Sequence, residues 1–268
     1  MQDTKRANSW GAEYTELMSS SLSWLRTEIQ QRMLDKLAPI KLIPKRILIE
    51  PDFEELNYSG FAKRFSQALI DTLDHGHQVS SRSLIYYFNR LRKRFILGSG
   101  TIYEQSVPED AQFDLIVSNL YLQNLSNLDE WFQKIHHHTK QGGLICFSYL
   151  GPDTGKELKK VTREYLRSLP GALDMHDIGD ALVKNRFSDP VMDMEYLHLE
   201  YESDQAMFRD GQALGLINSQ ALFSEFEAPS DKKITLEIVY GHAWVLSKNL
   251  SSGDPKTAYI RPDAIKRK

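Results

Sequence analysis

The 268-residue chain predicts an α/β protein built on a doubly wound, seven-stranded sheet. Three observations predict it. Short apolar runs rich in β-branched residues alternate with helical patterns through residues 15–150, the signature of parallel βαβ units. Residues 191–201 alternate apolar and polar side chains, and 234–246 reads as another strand in tandem near the C-terminus. A charged helical stretch separates the two halves.

Each element has its own local reason. Leu17, Leu22, Leu25, Ile29, Met33 and Leu37 recur every three to five residues and predict a helix over 15–37, which Pro39 and Pro44 end. Arg46-Ile-Leu-Ile-Glu50 reads as a buried strand. Phe61 and Phe65 share one side of a helix over 58–67. Residues 68–74, 95–97 and 113–117 are the second, third and fourth strands. Trp131, Phe132 and Ile135 face inward from a helix over 128–138, which Gly142-Gly143 is expected to close. Residues 144–147 are the fifth strand, and helices are expected over 156–169 and 177–187. The chain divides into an N-terminal helical segment over 1–45 and an α/β domain over 46–246. A flexible tail is expected over 247–268.

Composition excludes several function classes. Lys and Arg number 33 against 36 Asp and Glu, so the chain lacks the basic excess of a dedicated nucleic-acid binder. Twelve Phe, twelve Tyr and four Trp are enough to fill a core. A single cysteine, Cys146, rules out an internal disulfide or a Cys-rich metal site. No apolar run reaches the roughly 18 residues of a membrane span, and residues 1–10 are too polar for a signal peptide. The expectation is a soluble, cytoplasmic protein with neither nucleic acid nor membrane as partner.

In an open α/β sheet the ligand sits at the carboxyl ends of the strands, and a nucleotide cofactor needs glycines in the first strand-to-helix turn. That turn reads Glu50-Pro51-Asp52-Phe53-Glu54-Glu55-Leu56-Asn57 and holds no glycine. Pro51 removes a backbone donor, Phe53 adds bulk, and the acids repel a carboxylate or phosphate. Gly98-Ser-Gly100 reads as an ordinary turn. Gly151-Pro-Asp-Thr-Gly155-Lys156-Glu157 is too short for a phosphate loop, and Glu157 stands where Ser or Thr would hold Mg²⁺. His136, His137 and His138 point in different directions on a helix, so no metal site is predicted. Lys156, Lys159, Lys160, Arg163 and Arg167 fall at helical spacing, most on one broad face, which reads either as a solvated helix face or as a landing surface for an acidic partner.

Several motifs carry a resemblance. They are Phe113-Asp-Leu-Ile-Val-Ser-Asn119-Leu-Tyr-Leu-Gln123, Gly142-Gly-Leu-Ile-Cys-Phe-Ser148-Tyr-Leu-Gly151-Pro-Asp-Thr154-Gly-Lys-Glu157-Leu, Asp174-Met-His-Asp-Ile-Gly179, Phe187-Ser-Asp-Pro190 and Val239-Tyr-Gly-His242-Ala-Trp244. Together they resemble the malonyl-acyl-carrier-protein O-methyltransferases of biotin synthesis, over roughly residues 15–246. The resemblance implies a class I S-adenosylmethionine (SAM) methyltransferase fold with a lid over about 151–187, which meets the acidic carrier. It implies that the substrate carboxylate is itself the nucleophile, so that catalysis is largely alignment.

The resemblance also locates departures. The family's acid in the first strand falls on Ile49, and its three turn glycines fall on Pro51, Phe53 and Glu55. A one-residue shift gives the acidic role to Glu50. The ribose-binding acid matches Asp74, and the adenine-binding acid falls on Ser99. Asn119, ending the fourth strand, completes the candidate cofactor residues. Three functions follow as expectations. The first is a non-catalytic relative that binds acyl carrier protein or malonyl-ACP, or pairs with an active methyltransferase paralogue. The second is a working methyltransferase with an unusual SAM site. The third is an assembly factor or modifier of another protein, like the mitochondrial complex I relative of the same fold.

Overall fold

The computed structural model describes residues 22–51, 59–73, 100–103, 106–158, 169–218 and 220–246. In chain order these form α1 (Ser23–Lys36), β1 (Arg46–Ile49), α2 (Ser59–Arg64), β2 (Leu69–Leu73), β3 (Ile102–Tyr103), β4 (Phe113–Ser118), α3 (Leu128–His138) and β5 (Thr139–Leu150). There follow α4 (Met175–Lys184), β6 (Ser188–Glu200), α5 (Asp204–Ala213) and β7 (Lys233–Val245). One seven-stranded sheet runs β3-β2-β1-β4-β5-β7-β6. β1 pairs in parallel with β2 and β4, β4 with β5, and β2 with β3, while β7 runs antiparallel between β5 and β6. The doubly wound expectation holds, and the order reverses between β1 and β4.

Strand alternation divides the core in two. Ile47, Ile49, Leu115, Val117 and Cys146 face Leu25, Ile29 and Met33 of α1 and Phe61 of α2. Leu48, Ile116, Ile145 and Phe147 face Trp131, Phe132 and Ile135 of α3 and Ile178 and Leu182 of α4. α1 therefore belongs to the sheet's own core. Burying side chains of this size stabilises by about 1.5–3 kcal/mol each.

The differences from expectation have physical reasons. The residues expected as the third strand, 95–97, lie outside the described residues, and the strand bonded to β2 in third position is Ile102–Tyr103. Gly142-Gly143 does not close α3. That helix passes at Thr139 directly into β5, and the two glycines lie inside the strand. Gly142 takes φ +79°, and a Cβ on Gly143 would stand 2.9 Å from the Lys140 carbonyl oxygen. The glycines thus serve a bulge, where the β4–β5 register shifts between Phe113 and Leu115. α4 starts two residues before its expected limit, because Asp174 caps it by accepting the His176 N–H at 2.8 Å. Lys156 sits in a turn, not on a helix, and no described helix is long and apolar enough to cross a membrane.

Candidate functional site

The carboxyl edge at the reversal point is formed by Glu50 after β1 and Asn119 after β4. Glu50 stays in register with β4, donating its N–H to the Val117 carbonyl at 2.9 Å. Alternation turns its side chain to the α3 face, where it is fully buried. There its Oε1 accepts from Lys134 Nζ at 3.0 Å. Burial, and then the Glu50 charge, push the neighbouring Tyr121 hydroxyl well above the usual phenol range. Pro51, also buried, follows directly. The end of β1 is thus filled by a carboxylate with its own counter-ion and a residue without an N–H.

Asn119 is equally occupied. Its Nδ2 donates to the Arg26 carbonyl of α1 at 2.9 Å, and its Oδ1 accepts from Ser148 Oγ of β5 at 2.9 Å. The next residue, Leu120, is buried at φ +50°, in the left-handed region that costs a side chain about 1–2 kcal/mol. Its N–H bonds the Ser148 carbonyl at 3.0 Å, which holds that turn. Gln123 then folds under it, its Nε2 donating to the Leu120 carbonyl at 2.9 Å. The edge after β4 is a braced corner linking α1, β4 and β5.

A second site is built where β5 ends. The segment from Gly151 to Leu158 lies as a strap along β7. Gly151 N–H and Gly155 N–H donate to the Glu237 and Thr235 carbonyls, each at 2.8 Å. Asp153 N–H donates to Glu237 Oε2 at 2.6 Å, and Glu237 N–H donates to Thr154 Oγ1 at 3.1 Å. Thr235 N–H donates to Glu157 Oε2 at 3.0 Å. A Cβ on Gly151 would stand 2.5 Å from the Glu237 carboxyl carbon, so any side chain here must push Glu237 aside. Burial raises the Glu237 carboxyl above its ordinary value. Lys156 rises from the strap with Nζ 5.1 Å over the Tyr196 ring, whose hydroxyl donates to Asp153 at 3.1 Å.

Of the residues singled out in the sequence, Glu50 and Asn119 are brought to one edge and Lys156 to the strap. Asp74, Ser99, Lys159, Lys160, Arg163 and Arg167 lie outside the described residues. Sequence reasoning missed Lys134, Ser148 and Glu237. Lys134 reads as one more charge on an amphipathic helix, 84 positions from its partner. His137 and His138 bond the carbonyls of Glu109 and Ala111 separately, and among the described residues no group of three metal-ligating side chains gathers.

The strand order, with the antiparallel β7 inserted beside β5 and a reversal between β1 and β4, defines the class I methyltransferase architecture. Among solved structures, the YcgJ protein of Bacillus subtilis aligns over 80% of this chain and 98% of its own, with a TM-score of 0.52 at 10% identity. That likeness concerns the fold alone. No family model matches the chain. Curated relatives do. The malonyl-[acyl-carrier protein] O-methyltransferase of Methylovorus sp. is 32% identical over 244 residues, covering 82% of each chain. Malonyl-[acyl-carrier protein] O-methyltransferase 1 of Coxiella burnetii is 36% identical over 241 residues, covering 78% of this chain and 82% of its own. The Gallionella capsiferriformans relative is 34% identical over 242 residues. The chain belongs to the malonyl-acyl-carrier-protein O-methyltransferase family.

The methyl donor this family implies is SAM. Of the turn that would meet it, Glu50 and Pro51 are described. A cofactor at this turn requires open backbone N–H groups and room for close approach. Pro51 offers no N–H, and Glu50 fills the strand end with a buried carboxylate held by Lys134.

Proposed function

We propose that this chain keeps the family's fold and its carrier-facing strap but has lost, or strongly weakened, SAM binding, and acts as a non-catalytic partner of acyl carrier protein. The observation that carries this reading is the Glu50–Lys134 pair beside Pro51, at the position where the fold receives its cofactor. A ligand entering there must displace the ion pair, and Glu50 left alone would be a costly buried charge. The strap supports the second half of the reading. It fixes Lys156 against β6 at the start of a run that continues in sequence with Lys159, Lys160, Arg163 and Arg167. Such a face favours an acidic protein by steering and by complementary charge.

The test pairs two measurements on the purified chain. Incubation with malonyl-acyl carrier protein and labelled SAM is expected to give no methyl ester. Titration with the same carrier is expected to show binding that weakens as salt rises. Methyl ester formation would overturn the reading in favour of an active malonyl-ACP O-methyltransferase. That alternative has one finding behind it: relatives at 32–36% identity over most of the chain are named as such enzymes.

A further inference from the structure

The strap contains a group that neither the crevice nor carrier docking uses. Glu157 is buried and takes both polar groups of one residue: the Thr235 N–H donates to Oε2 at 3.0 Å, and the Thr235 hydroxyl donates to Oε1. Burial alone would raise the Glu157 carboxyl, but the two Thr235 bonds outweigh it and hold it below its ordinary value. Glu157 is therefore a carboxylate at neutral pH, with no proton to give. A threonine hydroxyl has one hydrogen, and Thr235 spends it on Glu157. The oxygen of Thr235 can then only accept from its other neighbour.

That neighbour is His198 Nδ1, 3.2 Å away and directly opposite Thr235 in the β6–β7 register. Nδ1 must carry the hydrogen, and in the neutral ring Nε2 must hold the lone pair. His198 is exposed, and none of the described residues bonds to Nε2. Two residues earlier on the same face lies the exposed Tyr196, with the Lys156 ammonium over its ring. The open nitrogen therefore stands on an accessible polar surface. β6 is four places from β1 in the sheet, roughly 19 Å at ~4.8 Å per strand, so the group does not serve the crevice.

We infer that Glu157, Thr235 and His198 form a carboxylate–hydroxyl–imidazole relay that fixes the ring tautomer and presents Nε2 as an accessible hydrogen-bond acceptor on the outer edge of the sheet. The relay orients this acceptor as a carboxylate does for a metal-binding or catalytic histidine. The inference is independent of whether SAM binds.

The experiment is long-range proton–nitrogen NMR of the His198 ring in the intact chain at about pH 8. The expected spectrum has Nδ1 protonated and Nε2 unprotonated. Thr235→Val keeps the buried shape, removes the link, and is expected to return the ring to the Nε2-protonated form that free imidazole favours. Thr235→Ser restores the hydroxyl and is expected to restore the wild-type spectrum, separating the relay from a simple packing effect. Carbethoxylation of His198 by diethyl pyrocarbonate, followed by peptide mass spectrometry, is expected to be about threefold slower in Thr235→Val than in the other two. An Nε2-protonated ring in the wild type, an unchanged tautomer in Thr235→Val, or equal reaction rates would each overturn the relay.

Discussion

At the β1 end of the sheet's carboxyl edge, the chain is closed by side-chain charge: Glu50 turns inward and meets Lys134. At the β5–β7 end it is closed by backbone: the strap runs along β7, and Glu157, Thr154 and Glu237 complete the bonds. The first arrangement ends in Pro51, at the head of a turn whose sequence holds no glycine. The second depends on Gly151, Thr154 and Glu157 of the family-like motif and on Thr235 and Glu237 of β7. The difference teaches that neighbouring ends of one sheet can be held by different means, one by a side-chain ion pair and the other by main-chain bonds. Beneath both edges the strands pack into the same two apolar layers, one on each face of the sheet.

Substitutions can break or sharpen this contrast. The largest effect is expected from Lys134→Met, which leaves the Glu50 carboxylate buried without its counter-ion. A fully buried pair would cost about 3–5 kcal/mol to break, and because Lys134 is 36% exposed we expect about 2–3 kcal/mol. Replacing both residues, as Glu50→Leu with Lys134→Met, is expected to recover most of that loss in urea denaturation. A double variant no more stable than the single one would mean that the pair is not the unit that closes this end.

Next comes the strap. Gly151→Ala forces a Cβ against the Glu237 carboxyl and is expected to cost about 1–2 kcal/mol, with faster hydrogen exchange at the Asp153 and Gly155 amides. Equal exchange in wild type and variant would show that the strap is not held through Glu237.

Glu157→Gln gives a smaller effect with a definite pH dependence. The folded carboxyl lies below its ordinary value of 4.5, so its stabilisation is present above that value and is lost as pH falls through the folded one. Wild type is expected to exceed the variant by about 1 kcal/mol at neutral pH, with the gap closing in acid. A gap independent of pH would contradict an ionised Glu157. The smallest effect is expected from Lys156→Glu, on carrier binding alone. A single exposed charge is worth under ~1 kcal/mol, so affinity falls about threefold at low salt and less at high salt.

Much of the fold was legible because period-two and helical patterns survive in β4, β5, β6, β7, α1 and α3. The second strand, Leu69–Leu73, lay inside its expected bounds. α5 went unread, although Ser203 caps it by accepting the Ala206 N–H and Met207 and Phe208 fill one side. Its mixed polar sequence, with Gly211 inside, looks like a connection. Gly142-Gly143 misled because glycine marks both helix ends and bulges, and only the paired strand distinguishes them. At the site, the missing glycines and the acid at Glu50 were visible, but its burial and partner were not. Ion pairs between elements depend on which face each residue shows, and that is settled only when the sheet and α3 pack.

Isothermal titration of the intact chain with SAM and with S-adenosylhomocysteine tests the proposed loss of SAM binding most directly. No heat of binding up to about millimolar ligand is expected. Saturable binding at micromolar concentration would contradict it and return the chain to the working enzymes of its family.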